Sequence, residues 1–309
     1  MKVVRDISDL KDIKGPILTL GNFDGLHIGH RRVIAKVVER AKKFGAPSVV
    51  YTFEPHPLKV VAPGQSPPLL IDIDEKIRLI NETGVDWLIL AEFTKAFAAT
   101  HPREFVESVL VKALSVREVW VGHDFSFGKS KSGTVEYLKE LGAEFGFKVF
   151  VVDAYKRRGE VVSSSRIRAC VKDGEVKKAA ALLGRLYSIK GKVVGGREIG
   201  KEIGFPTANL AVESELVPKD GVYAAFAVVD GKECASVLNI GTAPTFGPKE
   251  RTVEVHILDF CNDIYGKKVE VRFADRLRDE TAFPSKDALV KAIKKDTDRA
   301  RKILARRRA

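Results

Sequence analysis

Unbroken apolar runs punctuate the first half of the chain: Ile17–Leu20, Ser48–Phe53, Trp87–Leu90, Val116–Val121 and Lys148–Val152. Short runs without polar alternation are the pattern of strands buried on both faces. Between them apolar residues return at three- and four-residue spacing, which predicts helices over about 29–43, 74–83, 102–113, 132–144 and 165–183. Strand and helix in alternation imply a parallel α/β sheet covered on both sides. The pattern changes after about Gly184. Period-2 stretches, Tyr187–Val193, Val222–Val229, Ala235–Ile240, Thr252–Leu258 and Lys268–Phe273, are separated by turns such as Asp230-Gly231 and Tyr265-Gly266. They predict an antiparallel β-barrel. A helical segment over roughly 285–306 follows it. The expected architecture is therefore α/β plus β, as two domains over 1–184 and 185–309. The stretch 60–68, with Pro63, Gly64, Pro67 and Pro68, reads as a loop.

Three loops follow directly on predicted strands, and in open α/β sheets ligands bind beyond the carboxyl ends of strands. The first is Gly21-Asn22-Phe23-Asp24-Gly25-Leu26-His27-Ile28-Gly29-His30. His27 and His30 are three apart at a predicted helix start, so they share a face where backbone N–H groups and the positive dipole end collect. Two imidazoles at a natural anion site suggest phosphate chemistry, and Gly29 between them allows a ligand near the backbone. An isolated H-x-x-H means little; here strand, small-residue turn and helix start come together.

The second loop is Thr52-Phe53-Glu54-Pro55-His56-Pro57, which by itself reads as a rigid Pro-flanked turn with an incidental histidine. The third, Gly122-His123-Asp124-Phe125-Ser126-Phe127-Gly128, resembles a P-loop but has five residues between its glycines where the pattern needs four. Ser163-Ser164-Ser165-Arg166-Ile167-Arg168 opens a further helix, either as a plain N-cap or as a phosphate site in which Arg168 pairs with the anion.

In the second half, Gly195–Lys201 fits the first seven positions of the Walker pattern, but Glu202 replaces the required hydroxyl residue in a β-rich setting. Gly204-Phe205-Pro206-Thr207-Ala208-Asn209 offers a hydroxyl and an amide oxygen two residues apart, hard donors suited to Mg²⁺, with an Asx-type turn as the alternative. Glu254 lies mid-strand in Thr252-Val253-Glu254-Val255-His256. If Val253 and Val255 face one side, Glu254 and His256 face the other, and a carboxylate there acts as a general base where that wall meets a pocket.

Composition narrows these readings. With 309 residues, 45% hydrophobic and 30% charged, the chain is long enough for two cores. No run approaches membrane-spanning length, Met-Lys-Val-Val-Arg-Asp lacks a signal-peptide core, and three scattered cysteines form no C-x-x-C pair. A cytoplasmic protein is expected. The formal charge of +12 admits nucleic acid, yet aromatics make up only 8% and are not interleaved with basic residues. The basic cluster Arg299, Arg301, Lys302, Arg306, Arg307 and Arg308 suits a helix C-terminus without any partner.

Read together, GNFDGLHIGH, TFEPHP, VGHDFSFG and SSSRIR, then GFPTANL, GVYA, NIGTAPTFG, VEVHILDF, DIYGKKVEVRF, RDETAF and DTDRAR, closely resemble the bacterial bifunctional riboflavin kinase/FMN adenylyltransferase family, or FAD synthetases, nearly end to end. The resemblance implies a Rossmann-like nucleotidyltransferase domain that transfers AMP from ATP to FMN, giving FAD and pyrophosphate without a covalent intermediate. It implies that His27 and His30 stabilise the transferred phosphoryl group and that His56, Ser164 and Arg168 hold phosphates. Asp124 would line the nucleotide or flavin site, and the backbone of Asn22, Phe23 and Asp24 would pack on the nucleotide. The barrel would phosphorylate riboflavin with Mg·ATP: Thr207 and Asn209 on metal and phosphates, Lys201 in the phosphate loop, Glu254 taking the hydroxyl proton, and Arg278 in a loop over the flavin.

Two positions depart from the family pattern, Ala243 where many relatives carry Arg and Ala292 where Gln is frequent. The implied partners are the small molecules ATP, riboflavin and FMN, with no nucleic acid, membrane or protein partner. Two other readings compete. One is an adenylyltransferase for a different acceptor with a barrel binding module, since HxGH reads the triphosphate alone. The other is a basic nucleic-acid-binding protein.

Overall fold

The computed structural model describes residues 1–7, 13–195, 203–242 and 251–308. They form two compact units, Met1–Ser163 and Ser164–Ala309.

The first unit is a six-stranded sheet with strand order β1-β4-β3-β2-β5-β6. Its elements are β1 (Lys2–Val4), β2 (Ile17–Leu20), α1 (Ile28–Phe44), β3 (Ser48–Glu54), α2 (Pro57–Val61), α3 (Ile73–Asn81) and β4 (Trp87–Glu92). After these come α4 (Lys95–Ala98), α5 (Pro102–Phe105), a π-helical stretch Val106–Ala113, β5 (Glu118–Gly122), α6 (Val135–Phe145) and β6 (Lys148–Val152). A small hairpin, β7 (Lys156–Arg157) with β8 (Glu160–Val161), closes the unit. Every pairing in the large sheet is parallel, as the unbroken apolar runs predict.

Both faces of the sheet are covered. Leu18, Leu20, Val49, Tyr51, Val119 and Val121 pack with Phe105, Leu110, Leu138 and Leu141 on one side. Val50 and Leu88 pack with Ile34, Leu79 and Ile80 of α1 and α3 on the other. Successive residues of one strand point to opposite faces, so a strand buried on both carries no polar alternation. The strand order reverses direction between β2 and β5, which makes the crevice beyond their carboxyl ends the topological switch point.

In the second unit α7 (Ser164–Lys172) and α8 (Val176–Leu183) precede β9 (Tyr187–Val194), β10 (Ala208–Val212), β11 (Gly221–Val229), β12 (Lys232–Thr242), β13 (Arg251–Ile257), β14 (Lys268–Arg278) and α9 (Lys286–Arg308). The strands close into an antiparallel barrel, β10-β13-β12-β11-β14-β9. Tyr187, Ile189, Tyr223, Leu238, Val255 and Phe273 fill its interior and are buried. Outside it, Ala300 and Leu304 of α9 pack on Val222, Phe226, Val237 and Leu277.

Several expectations are adjusted. The helix expected over 165–183 is two helices, because the chain turns at Gly174 with φ +75°. A Cβ there would lie 2.8 Å from Nε of Arg276, so glycine is also required by close approach. The compact units divide at Ser163/Ser164, with α8 packed on β9 and β14, while the domain boundary read from the sequence lies at 184/185. The segment 60–68 holds the end of α2 and a 3₁₀ turn, Pro63–Gln65. Sequence reading missed β1, a three-residue edge strand, and β10, whose residues Ala208 and Asn209 read as a turn.

Candidate functional site

At the switch point β2 ends at Leu20, and the chain turns through Phe23 (φ +48°), Gly25 (φ +78°) and Leu26 (φ +36°) before α1 begins. The side chains of this turn point inward. Phe23 and Leu26 enter the core with Ile34. The Asp24 carboxylate is buried and accepts from the N–H of Leu70 at 3.0 and 3.2 Å. Thr52 Oγ1 donates to the carbonyl of Asn22 at 3.2 Å. With Phe23 and Asp24 engaged below, the turn offers its backbone to the crevice.

His27 is the N-cap of α1, and its Nδ1 accepts from the N–H of His30 at 3.2 Å. That use of Nδ1 fixes the ring proton on Nε2, which is then the donor. The amides of Ile28 and Gly29 precede any intrahelical acceptor and face the same end. The two imidazoles are stacked, centroids 3.5 Å apart and planes at 18°, so they form a floor where the sequence suggested two side chains looking out. His30 Nδ1 is buried without a hydrogen-bond partner, and Phe23 meets the ring edge-on at 5.2 Å. Burial first, then the charges of His27 and Lys76, hold His30 well below the ordinary histidine pKa. It is a neutral imidazole near pH 7. Gly29 has a more specific reason than ligand approach: a Cβ there would lie 3.1 Å from the ring of His27.

His56 repeats the device. Buried at the end of β3, it caps α2 through Nδ1, which accepts from the N–H of Leu58 at 3.3 Å. The incidental histidine of a rigid turn is therefore a cap with its proton fixed on Nε2. Asp124 follows β5 with an exposed side chain, 3.9 Å from His123 Nδ1, while Phe125 and Phe127 pack on the core. Ser164 opens α7 and Arg168 is buried on that helix; both belong to the second unit.

On the barrel, Val253, Val255 and Ile257 of β13 are buried and Glu254 and His256 half-buried, as the alternation predicts. The register sets Asn209 of β10 and Asn239 of β12 opposite Glu254, so the three share one face in a row across three strands. The interior of the barrel is packed, so this row lies on its outer wall. Asn209 is a strand residue paired to both neighbours, which displaces the Asx-turn alternative. Thr207 immediately precedes β10, and His256 fastens that segment: its Nδ1–H donates to the carbonyl of Pro206 at 2.8 Å, with Phe205 against the ring at 5.6 Å. Lys201 lies outside the described residues, as do most of the Gly195–Lys201 segment and Ala243. Arg278 is the last residue of β14, not part of the following loop. Its Nε donates to Asp296 of α9 at 2.9 Å, and its guanidinium lies 5.3 Å from the Phe283 ring centroid.

Comparison with known proteins places both halves. The FAD synthetase family model matches residues 9–166, and the riboflavin kinase model matches residues 183–304. The bifunctional riboflavin kinase/FMN adenylyltransferase of Escherichia coli (strain K12) is 38% identical, covering 97% of each chain. The chain belongs to the bifunctional riboflavin kinase/FMN adenylyltransferase family. The Pseudomonas fluorescens member is 35% identical over 99% of this chain and 98% of its own. A crystal structure described as a macrolide-efflux protein from Streptococcus pneumoniae is 33% identical, with TM-score 0.86 over 97% of this chain and 98% of that one. Among the described residues no helix is long and apolar enough to cross a membrane.

Within this family member, sequence reasoning overlooked three residues that the fold brings forward. Asn239 joins Glu254 only through strand register. His256 was seen to share a face with Glu254 but not to clamp the Thr207 segment. Lys76 of α3 is 4% exposed although it lies in the charged run Asp74-Glu75-Lys76. The available signal was helical spacing, since Lys76 precedes Leu79 and Ile80 by three and four residues and falls on their buried face.

Proposed function

We propose that the chain makes FAD in two steps at two separate sites, with roles for the residues above. The barrel phosphorylates riboflavin with ATP to FMN, and the parallel-sheet unit adenylylates FMN with ATP to FAD and pyrophosphate. The carrying observation is the capped, stacked histidine pair at the topological switch point.

In adenylyl transfer an oxygen of the FMN phosphate attacks the α-phosphorus of ATP, and the bond to pyrophosphate breaks. Charge grows on the equatorial oxygens and the leaving group, and donors already in place stabilise it most. His30, neutral and buried, and the Nε2–H groups fixed on His27 and His56 are such donors. The N–H groups at the start of α1 add to them. Asn22, Phe23 and Asp24 present backbone to the nucleotide, Asp124 lines the site, and Ser164 and Arg168 bind phosphate. The catalytic division lies at 184/185, so that α7 serves the adenylyl site; the kinase model begins at residue 183.

In the kinase step Glu254 takes the proton of the riboflavin 5′-hydroxyl as that oxygen attacks the γ-phosphorus. The bond from the γ-phosphorus to the bridging oxygen breaks, with its electron pair leaving on ADP. Asn209 and Asn239 flank the carboxylate and orient it. Mg²⁺ suits the oxygens of Thr207 and Asn209. Among the described residues no group of three or more His, Cys, Asp or Glu is placed to hold a metal ion. Bound there, the ion neutralises phosphate charge. Lys201 contributes to phosphate binding and Arg278 to the flavin side. The partners are small molecules, with none among nucleic acids, membranes or proteins, and the setting is the cytoplasm.

The test is direct. The chain is incubated with riboflavin, ATP and Mg²⁺, and the flavins are separated by chromatography. FMN and FAD are both expected. Neither product appearing would overturn the reading, and FMN alone would leave the adenylyl site without function.

A further inference from the structure

Every donor assigned so far to the adenylyl site in the first unit is neutral, yet the triphosphate it handles is strongly anionic. A buried cation lies under the same motifs. α3 shares the core of Phe23, Leu26 and Ile34 through Leu79 and Ile80, and Lys76 falls on that face. The chain entering α3 is clipped to the Asp24 carboxylate by the N–H of Leu70. Lys76 is thus held inside the fold where α3 runs beneath the Asp24–His30 segment, at 4% exposure.

Its charge acts on one residue from each of the converging motifs: Asp24 of the β2–α1 turn, Glu54 at the end of β3, and His30 of α1. Burial lowers its affinity for the proton, and the two carboxylates oppose that effect. Among the described residues its ammonium makes no hydrogen bond or ion pair, yet it is not one of the fully enclosed polar atoms that lack a partner, so solvent still reaches it. A lysine whose stem is buried for structure alone normally pairs its head or carries it out to bulk water. The same electrostatics favour an arriving anion, which the ammonium meets with three N–H donors and little competing water.

We propose that Lys76 is a phosphate-binding residue of the adenylyl site, its ammonium donating to the triphosphate of ATP. This rests on the assignment of adenylyl transfer to the first unit. As the FMN oxygen bonds to the α-phosphorus and the electron pair departs with pyrophosphate, Lys76 keeps its proton and balances the charge gathering on the leaving group. It adds a full positive charge from the first unit, where the other donors are imidazoles and amides.

The full chain is compared with Lys76→Met, which keeps length without charge, and Lys76→Arg, which keeps charge. FAD formation from added FMN is measured against ATP and against inorganic tripolyphosphate as competitor, with FMN formation from riboflavin followed in the same preparation. Lys76→Met is expected to lower kcat/KM for ATP and to raise the tripolyphosphate Ki by about 10–100-fold, the scale of one charged hydrogen bond. The Ki for the kinase reaction should stay unchanged, and Lys76→Arg should retain most of the wild-type tripolyphosphate affinity. An unchanged Ki in Lys76→Met overturns the proposal, as does Lys76→Arg failing as badly as Lys76→Met. If Lys76→Met does not fold, Lys76→Gln is read by the same criteria. Wild-type chain that makes no FAD from FMN overturns the parent assignment instead, whereas active wild type with indifferent variants overturns Lys76 alone.

Discussion

The two sites are built in opposite ways. Around His27 and His30 one continuous stretch supplies the turn, the cap and the donors, and helix geometry fixes each proton before any ligand arrives. On the barrel the row Asn209, Glu254 and Asn239 comes from three strands and exists only because β10, β13 and β12 pair in one register. The histidine pair of the first site is local and buried; the row of the second is distributed over an outer wall. Local sites fail when one donor is lost, and distributed ones also fail when register or a loop anchor is disturbed.

The largest effect should come from Glu254→Gln, which keeps the shape of the row and removes the proposed base. FMN formation should fall by about 10²–10⁴-fold, the usual range for a lost general base. FAD formation from added FMN should be unaffected. Loss of both activities in a folded variant would break the separation of the sites. His30→Ala is next: FAD formation from FMN should fall by about 10²–10³-fold, as for other lost transition-state donors, with kinase activity intact. An unchanged rate would reduce the stacked pair to a structural feature.

His256→Ala tests the loop anchor. It removes the contact to Pro206 but leaves Glu254 in place, so KM for ATP in the kinase step should rise by about two- to tenfold, the worth of one ordinary hydrogen bond. A larger change in kcat than in KM would show that the loop also governs the chemical step. The smallest effect concerns pH. His30 takes up a proton in the unfolded chain as pH falls through its ordinary value of 6.5, but in the fold it resists protonation to lower pH. In that window the unfolded state binds more protons, so stability declines as pH drops, by at most about 1.4 kcal/mol per pH unit for one group. Melting curves below pH 6.5 should therefore be steeper in pH for the wild type than for His30→Gln. Equal slopes would show that the ring is not kept neutral by the fold.

The same contrast decides what was legible in the sequence. The parallel strands declared themselves as apolar runs because both faces of the sheet are covered, and His27 and His30 because cap, turn and helix start are contiguous. The edge strand β1 has only Lys2, Val3 and Val4, with exposed positions, and carries no such signal. Thr207 and Asn209 were found as donors, but Pro206 beside them hid a strand whose partner is 45 residues away, Asn209 opposite Glu254. Asn239 was invisible for the same reason: its role depends on register, which no local pattern records. Lys76 was hidden by its neighbours, since the period that buries Leu79 and Ile80 also buries a lysine.

The helical pair α7–α8 bears on whether this chain can be divided. By packing it goes with the barrel, where α8 lies on β9 and β14 and Gly174 receives Arg276. In the role proposed above, its first turns, with Ser164 and Arg168, serve the other reaction. A kinase fragment begun at Arg185 would uncover the apolar surface beneath α8, and an adenylyltransferase fragment ended at Ser163 would lack the helix proposed to bind phosphate. A shared segment of this kind gives each activity a stake in the other's fold. On the proposed roles, fusion of the two enzymes is then more than a convenience of expression, because a cut on either side of the pair leaves one partner incomplete.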